Sequence, residues 1–222
     1  AIIDLFSNGI SVTRIQRAFS IGMFGLDKKR KLVPTRWSIT AIDNNISLSC
    51  LEDIKQFESI DEYRVYKYKN LDNIFIIILS PENWKYECIE AWFPETTWNE
   101  KENSPQIMGD YEPYSGRTTY AKIGGSYYSA RLAIAEKLKN ERRQASALVL
   151  REIHPGYILP IGVWNIRESI RAALRIKPTK FNTINEAINF AGKHLTIPCK
   201  KWLEKSTLLK QLHYQKKISE YF

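Results

Sequence analysis

The chain has 222 residues, 44% of them hydrophobic and 12% aromatic, with a formal net charge of +9 and a pI near 9.4. That length and apolar content suffice for one large domain with a sizeable core, which excludes global disorder, and the cationic surplus suits an anionic partner. Three cysteines, Cys50, Cys88 and Cys199, stand far apart and outside any C-x-x-C pair, so neither a disulfide framework nor a zinc site is readable.

A reducing, cytoplasmic location is the default for such a chain. The longest apolar run, Ile74 to Leu79, is far too short to span a bilayer, so no membrane association is expected. The chain starts at Ala1 without a methionine, and a fragment of a longer protein is expected.

From Ser11 to Met23, Val12, Ile15, Ala18, Phe19 and Met23 recur at helical spacing, which predicts a short amphipathic helix before the basic turn Lys28 to Lys31. A second helix is predicted from about Ser38 to Phe57. The period then changes. Tyr63 to Tyr68, Asn73 to Leu79 and Tyr86 to Phe93 are rich in Val, Ile, Tyr, Phe and Trp, and turn residues at 70–72 and 80–83 separate them. These segments read as an antiparallel meander whose middle strand, apolar on both faces, must be covered. Residues 94 to 117 read as a long ordered loop. A helix follows from Ser126 to about Arg143, then a strand from Ala147 to Ile153 and a loop at His154-Pro-Gly156.

Asn165 with Glu168, and Thr183 with Glu186, stand at the spacing of helix capping boxes and predict helix starts there, the second helix running from Ile184 to His194. One or two basic helices complete the chain. The fold class is α+β: a small antiparallel sheet packed with helices, then a helical basic C-terminal region and a flexible tail. The expected division is a core over 1–173, a basic helical region over 174–214 and a tail over 215–222. Residues 174 to 222 hold ten Lys and Arg against three Asp and Glu, a local net charge of +7, which is a footprint suited to nucleic acid.

The tail carries Gln215, Ile218, Tyr221 and Phe222. One tight helical turn brings Ile218 and Tyr221 to one side, so these apolar groups and Phe222 fill a hydrophobic pocket while Gln215 hydrogen-bonds beside it. The spacing resembles the peptide that docks on the PCNA sliding clamp. Burying three such side chains is worth roughly 5 to 9 kcal/mol, and ordering the tail takes back about 2 to 5 kcal/mol. A weak recruiting contact results.

Three blocks, KLVPTRWSITAID (residues 31–43), GDYEPYSGRTTYAKIGGSYYSARLAIAEKL (109–138) and RRQASALVLREIHPGYILPIGVWNIRESIR (142–171), together resemble the archaeal Nre family of DNA-repair-associated proteins. The resemblance covers nearly the whole chain. It implies a role in the response to DNA damage, a nucleoid-associated place in the cell and a clamp-binding peptide at the extreme C-terminus, which Gln215, Ile218, Tyr221 and Phe222 match. Family members usually carry an additional cysteine-rich, zinc-finger-like N-terminal segment that this chain lacks. No reaction carries over from the family.

Within these blocks, Gly124-Gly125-Ser126 opens a helix, so bare N–H groups and the positive helix end can meet a phosphate, with Lys122 and Arg131 to assist. The alternative is a glycine turn that gives the helix room to pack. Arg36 and Trp37 offer a guanidinium and a stacking ring, as single-strand binders do, or else a core anchor at a helix start. Arg131 shares a helical face with Ile134 and Leu138, and a buried arginine needs a carboxylate, for which Asp43, Asp110 and Glu112 are candidates. Were those three to converge on Mg2+, phosphodiester hydrolysis would be the reaction class; otherwise they form a structural network, and no cofactor or metal site is readable. His154 has no readable triad partner and reads as structural. The leading expectation is a DNA-repair accessory protein brought to DNA by the clamp. A metal-dependent nuclease using Asp43, Asp110 and Glu112 is the main alternative, and an RNA-binding or RNA-modifying protein the third.

Overall fold

The computed structural model describes residues 1–158 and 161–214. Six strands, β1 (Tyr63–Asn70), β2 (Asn73–Ser80), β3 (Tyr86–Trp92), β4 (Gln106–Glu112), β5 (Ser146–Ile153) and β6 (Thr179–Phe181), form one sheet in the order β4-β3-β5-β2-β1-β6. The fold is α+β, but the sheet is mixed. β5 inserts between β2 and β3, antiparallel to the first and parallel to the second. The expected antiparallel meander is corrected at this point: β1 and β2 pair as a hairpin, whereas β2 and β3 are consecutive in sequence without being neighbours.

The physical reason is burial. A strand apolar on both faces belongs at the centre of a covered sheet, and Ile76 to Leu79 of β2 pair with Ala147 to Leu150 of β5, every one of them buried. The hairpin between β1 and β2 turns on Leu71 and Asp72, both left-handed at φ of 48° and 56°, the type I′ geometry that matches strand twist. β4 lies within the stretch expected as loop, its polar composition explained by an edge position.

Helices cover both faces. On one lie α1 (Ile2–Ser7), α2 (Val12–Ser20), α3 (Thr35–Ile54), α4 (Gly125–Glu141) and α5 (Val163–Arg175), packed on Tyr66, Phe75, Ile77, Tyr86, Cys88 and Val149. On the other lie α6 (Ile184–Gly192), α7 (Cys199–Lys205) and α8 (Thr207–Tyr214), packed on Val65, Ile76, Ile78, Ile89, Leu148 and Leu150. The alternation of these two sets along each strand is the period of two that places successive side chains on opposite faces. α3 is buried along most of its length, because α1, α2, α4 and α5 all contact it.

Two helix starts differ in outcome. The Thr183–Glu186 capping box is present, with Glu186 N donating to Thr183 Oγ1 and Thr183 N to Glu186. The Asn165–Glu168 box is not: α5 begins two residues earlier, after Gly162 at φ 77°, and no side chain caps it. Asn165 instead sits inside the helix, accepting from Asn70 of β1, and Glu168 binds Arg171. Residues 174–214 supply β6 and the whole second helical layer, on which Lys193, Lys200, Lys201, Lys205 and Lys210 are exposed. The tail with Gln215, Ile218, Tyr221 and Phe222 lies outside the described residues.

Candidate nucleic-acid interface and its cavity

The three carboxylates singled out in the sequence are buried, and each has its own partners. Asp43 on α3 accepts from Arg167 Nη1 of α5 at 2.6 Å, from Gln16 Nε2 of α2 at 2.8 Å and from Ser129 Oγ of α4 at 2.6 Å. Burial pushes its carboxyl above the usual range, opposed by Arg167 and Ser129. Glu112 at the end of β4 accepts from Arg131 Nη1 at 2.5 Å, Tyr127 OH at 2.9 Å and Trp84 Nε1 at 3.1 Å. Asp110 accepts from Arg117 Nη2 and from the backbone N–H of Ile123, both at 3.0 Å. Among the described residues, no group of three or more His, Cys, Asp or Glu stands where it would hold a metal ion.

This arrangement is a structural network. Arg131 is fully buried and finds its carboxylate in Glu112, completed by Asn44 Oδ1 at 2.5 Å and Ser47 Oγ at 3.1 Å. It therefore stands behind the glycine turn as a packing element and does not reach the α4 N-terminus. His154 is structural as well, bonded to Glu152 at 3.2 Å and stacked on Phe93 at 4.1 Å.

The other candidates come together. Arg36 and Trp37 open α3 at the surface, where Trp37 is 49% exposed and the Arg36 guanidinium lies 5.5 Å from its ring centre. Tyr120 continues the aromatic surface, 6.2 Å from Trp37 and 5.3 Å from Tyr128. Its hydroxyl lies 3.8 Å from where a side chain on Gly124 would begin. Gly124 takes φ 65° as the residue before α4, and no side chain caps that helix. Gly125 lets three elements meet: a β-carbon there would stand 2.9 Å from both Thr40 Oγ1 of α3 and Val163 Cγ1 of α5. Ser126 Oγ donates to Ile123 O, which closes the turn, and Lys122 is exposed with no ion pair or hydrogen bond among the described residues. A solvated edge with aromatic rings, two free cations and an uncapped helix start results.

Beside it opens a cavity of about 380 Å3 that the sequence did not reveal. It lies beyond the carboxyl ends of the parallel strands β3 and β5, between the starts of α4 and α5, the position where open α/β sheets receive ligands. Trp92, Trp98, Tyr157 and Met108 supply apolar wall, and Lys122, Gly124 and Ser126 reach it from the α4 turn. Besides Lys122, its charged lining is Glu90 of β3 with Arg151 of β5, joined at 2.7 Å. The available signal was Glu90 at the alternate positions of Tyr86, Cys88 and Trp92, and Arg151 at those of Ala147, Val149 and Ile153, each a charge on an otherwise apolar strand face.

The N-terminal family model of archaeal Nre matches residues 1–99, and the C-terminal one matches residues 112–221. The chain belongs to the archaeal Nre family. Over 207 residues it is 49% identical to DNA repair protein NreB of Archaeoglobus fulgidus, covering 93% of this chain and 52% of that protein. It is 38% identical over 202 residues to DNA repair protein NreA of the same organism (91% of this chain, 51% of that protein). It is 36% identical over 210 residues to DNA repair protein NreA of Haloferax volcanii (94% and 50%). The chain spans about half the length of the curated relatives it matches. No solved structure matches it.

The three blocks that resembled Nre proteins in sequence meet at this one end of the Nre fold. Residues 31–43 supply the start of α3, 109–138 the α4 turn and 142–171 the end of β5 and the start of α5. Among the described residues, no helix is long and apolar enough to cross a membrane.

Proposed function

We propose that this chain is the core of a DNA-repair accessory protein that engages single-stranded DNA at the edge formed by the starts of α3, α4 and α5. The names of its relatives support the repair role. The observation that carries the DNA contact is the grouping of Arg36, Trp37, Tyr120 and Lys122 around the uncapped N-terminus of α4. Exposed rings stack on bases whatever their sequence, and lysine, arginine and a helix N-terminus take phosphates. Delivery falls to the clamp, which binds Gln215, Ile218, Tyr221 and Phe222, while the exposed lysines over 174–214 add diffuse attraction from the opposite face of the sheet.

Binding of a labelled single-stranded oligonucleotide, followed by anisotropy at two salt concentrations, tests the edge. The double variant Trp37→Ala/Lys122→Ala is expected to bind about tenfold or more weakly, since one stacked base is worth about 1–3 kcal/mol, and with a shallower salt dependence. Unchanged affinity in that variant would sink the reading. For delivery, Tyr221→Ala/Phe222→Ala is expected to lose clamp binding in a direct titration, and equal affinity would refute the tail's role.

A further inference from the structure

The cavity beyond β3 and β5 carries polar groups that the fold itself does not use up. Glu90 is 4% exposed and Arg151 3%, yet their bond engages only Oε1 of the first and Nη1 of the second. Arg151 Nε goes to Asn73 Oδ1 at 2.9 Å. Among the described residues, no hydrogen bond reaches Glu90 Oε2 or Arg151 Nη2, although both side chains line the cavity. Neither atom is among the enclosed polar atoms that lack a partner, so an acceptor and a donor stand open to the cavity, where a ligand can meet them.

Their surroundings define what fits. Arg151 is held between rings, 5.5 Å from the centre of Trp92 and 5.6 Å from that of Tyr157, and Trp98 stands edge-on to Trp92 at 6.2 Å. A flat, conjugated ligand is favoured by such walls. The acceptor–donor pair asks for a ligand edge with an N–H beside a lone pair, which every nucleobase presents in an exocyclic amine or ring N–H next to a ring nitrogen or carbonyl. At the α4 side, Lys122 and two uncapped helix starts, at Gly124 and Gly162, provide positive potential for a phosphate. The volume, about 380 Å3, lies within the ~300–1,000 Å3 usual for small-molecule pockets.

We infer that this cavity binds a single unstacked nucleotide, with its base between the aromatic walls, its hydrogen-bonding edge on Glu90 Oε2 and Arg151 Nη2, and its phosphate at Lys122 and the α4 turn. The inference rests on the DNA-binding reading above for the source of the nucleotide, and on the cavity alone for its chemistry. A base turned out of a strand lying on the neighbouring edge and a free mononucleotide present the same groups.

The experiment titrates the four deoxynucleoside 5′-monophosphates and deoxyribose 5-phosphate into the whole chain, with tryptophan fluorescence and calorimetry as readouts. At least one nucleotide is expected to bind tenfold or more tightly than the sugar phosphate. Trp98→Ala, at a 69% exposed position that leaves the core intact, is expected to weaken it fivefold or more, whereas Tyr214→Ala, at an exposed ring on α8 away from the cavity, leaves it unchanged. Glu90→Gln is expected to change which base is preferred; if that variant does not fold, Trp98→Ala carries the test. Equal binding of deoxyribose 5-phosphate, no binding of any nucleotide at millimolar concentration, or no effect of Trp98→Ala would each overturn the inference.

The two readings fail separately. Oligonucleotide binding that depends on Trp37 with no nucleotide binding removes the cavity and leaves the edge. Nucleotide binding with an oligonucleotide affinity indifferent to Trp37 and Lys122 does the reverse. Displacement of the nucleotide by an intact oligonucleotide but not by an abasic one identifies the source as DNA, and no displacement by either identifies it as the free nucleotide.

Discussion

On the face of the sheet covered by α3, α4 and α5, buried carboxylates meet guanidiniums: Asp43 with Arg167, Glu112 with Arg131, Glu90 with Arg151. On the opposite face, Glu87 and Glu152 meet none and accept backbone N–H groups instead. Glu87 takes Thr207 N and Leu208 N at 2.9 Å and the Ser206 hydroxyl, at the start of α8, and Glu152 takes Thr196 N and Ile197 N at 2.9 and 2.8 Å. The same residue type solves two problems. A carboxylate paired with a cation ties together elements distant in sequence, and whichever partner is removed leaves a charge stranded in a dry core. Glu87, at a helix start, satisfies orphan N–H groups and fixes where a short helix docks, Glu152 holds the bend that leads into α7, and the loss of either strands only dipoles.

The largest effect is therefore expected on the first face. Arg167→Met leaves Asp43 fully buried beside Gln16 and Ser129 with no bonded cation, only the more distant pull of Arg171, and should cost about 3–5 kcal/mol, a large part of the ~5–15 kcal/mol that holds a domain together. Urea unfolding measures it. A loss below about 1 kcal/mol would mean that Asp43 takes up a proton cheaply and that the pair is dispensable, erasing the contrast between the faces.

A smaller effect is expected on the second face. Ser206→Ala removes both the hydroxyl that donates to Glu87 and the acceptor for Leu209 N at 2.9 Å, so the loss should be about 1 kcal/mol, and at most ~2. Amide exchange should accelerate within α8 and stay unchanged in α3 and α4. Faster exchange throughout the molecule would show that the second layer does not open by itself.

The contrast also explains what could be read from the amino-acid order. β2 and β5 announce themselves by unbroken apolar runs, and the Thr183–Glu186 box by its local spacing, because those signals lie within a few residues. That β5 would enter between β2 and β3 was not legible, since two-sided burial says that a strand is central without naming its neighbours. β4 was hidden because its buried residues are Asp110 and Glu112, carboxylates satisfied by Trp84 before the strand and by Arg117, Ile123, Tyr127 and Arg131 further along the chain. At the site, Arg36, Trp37, Lys122 and the Gly124-Gly125-Ser126 turn carried local signatures and do come together. Arg167, 124 positions from Asp43, and Glu90, 61 positions from Arg151, carried none, because a salt bridge between distant elements leaves no spacing to read.

The smallest effect separates the two kinds of carboxylate by pH. Burial raises the Glu87 carboxyl above its ordinary value, against the pull of Ser206, Thr207 N, Leu208 N and Lys210. A carboxyl whose folded pKa exceeds its unfolded one contributes stability that is fully present below the unfolded value, about pH 4.3, and lost as pH rises through the folded one. Glu87→Gln has no charge to desolvate. The stability of the natural chain relative to this variant should therefore fall between pH 4 and pH 7, other groups cancelling in the difference, and urea unfolding at three pH values within that range measures it. A relative stability that rises over the range would mean that the three donors at the α8 start outweigh burial, so that Glu87 docks the helix as an anion. The second face would then depend on buried charge as much as the first, and the distinction would shrink to the kind of donor each carboxylate meets.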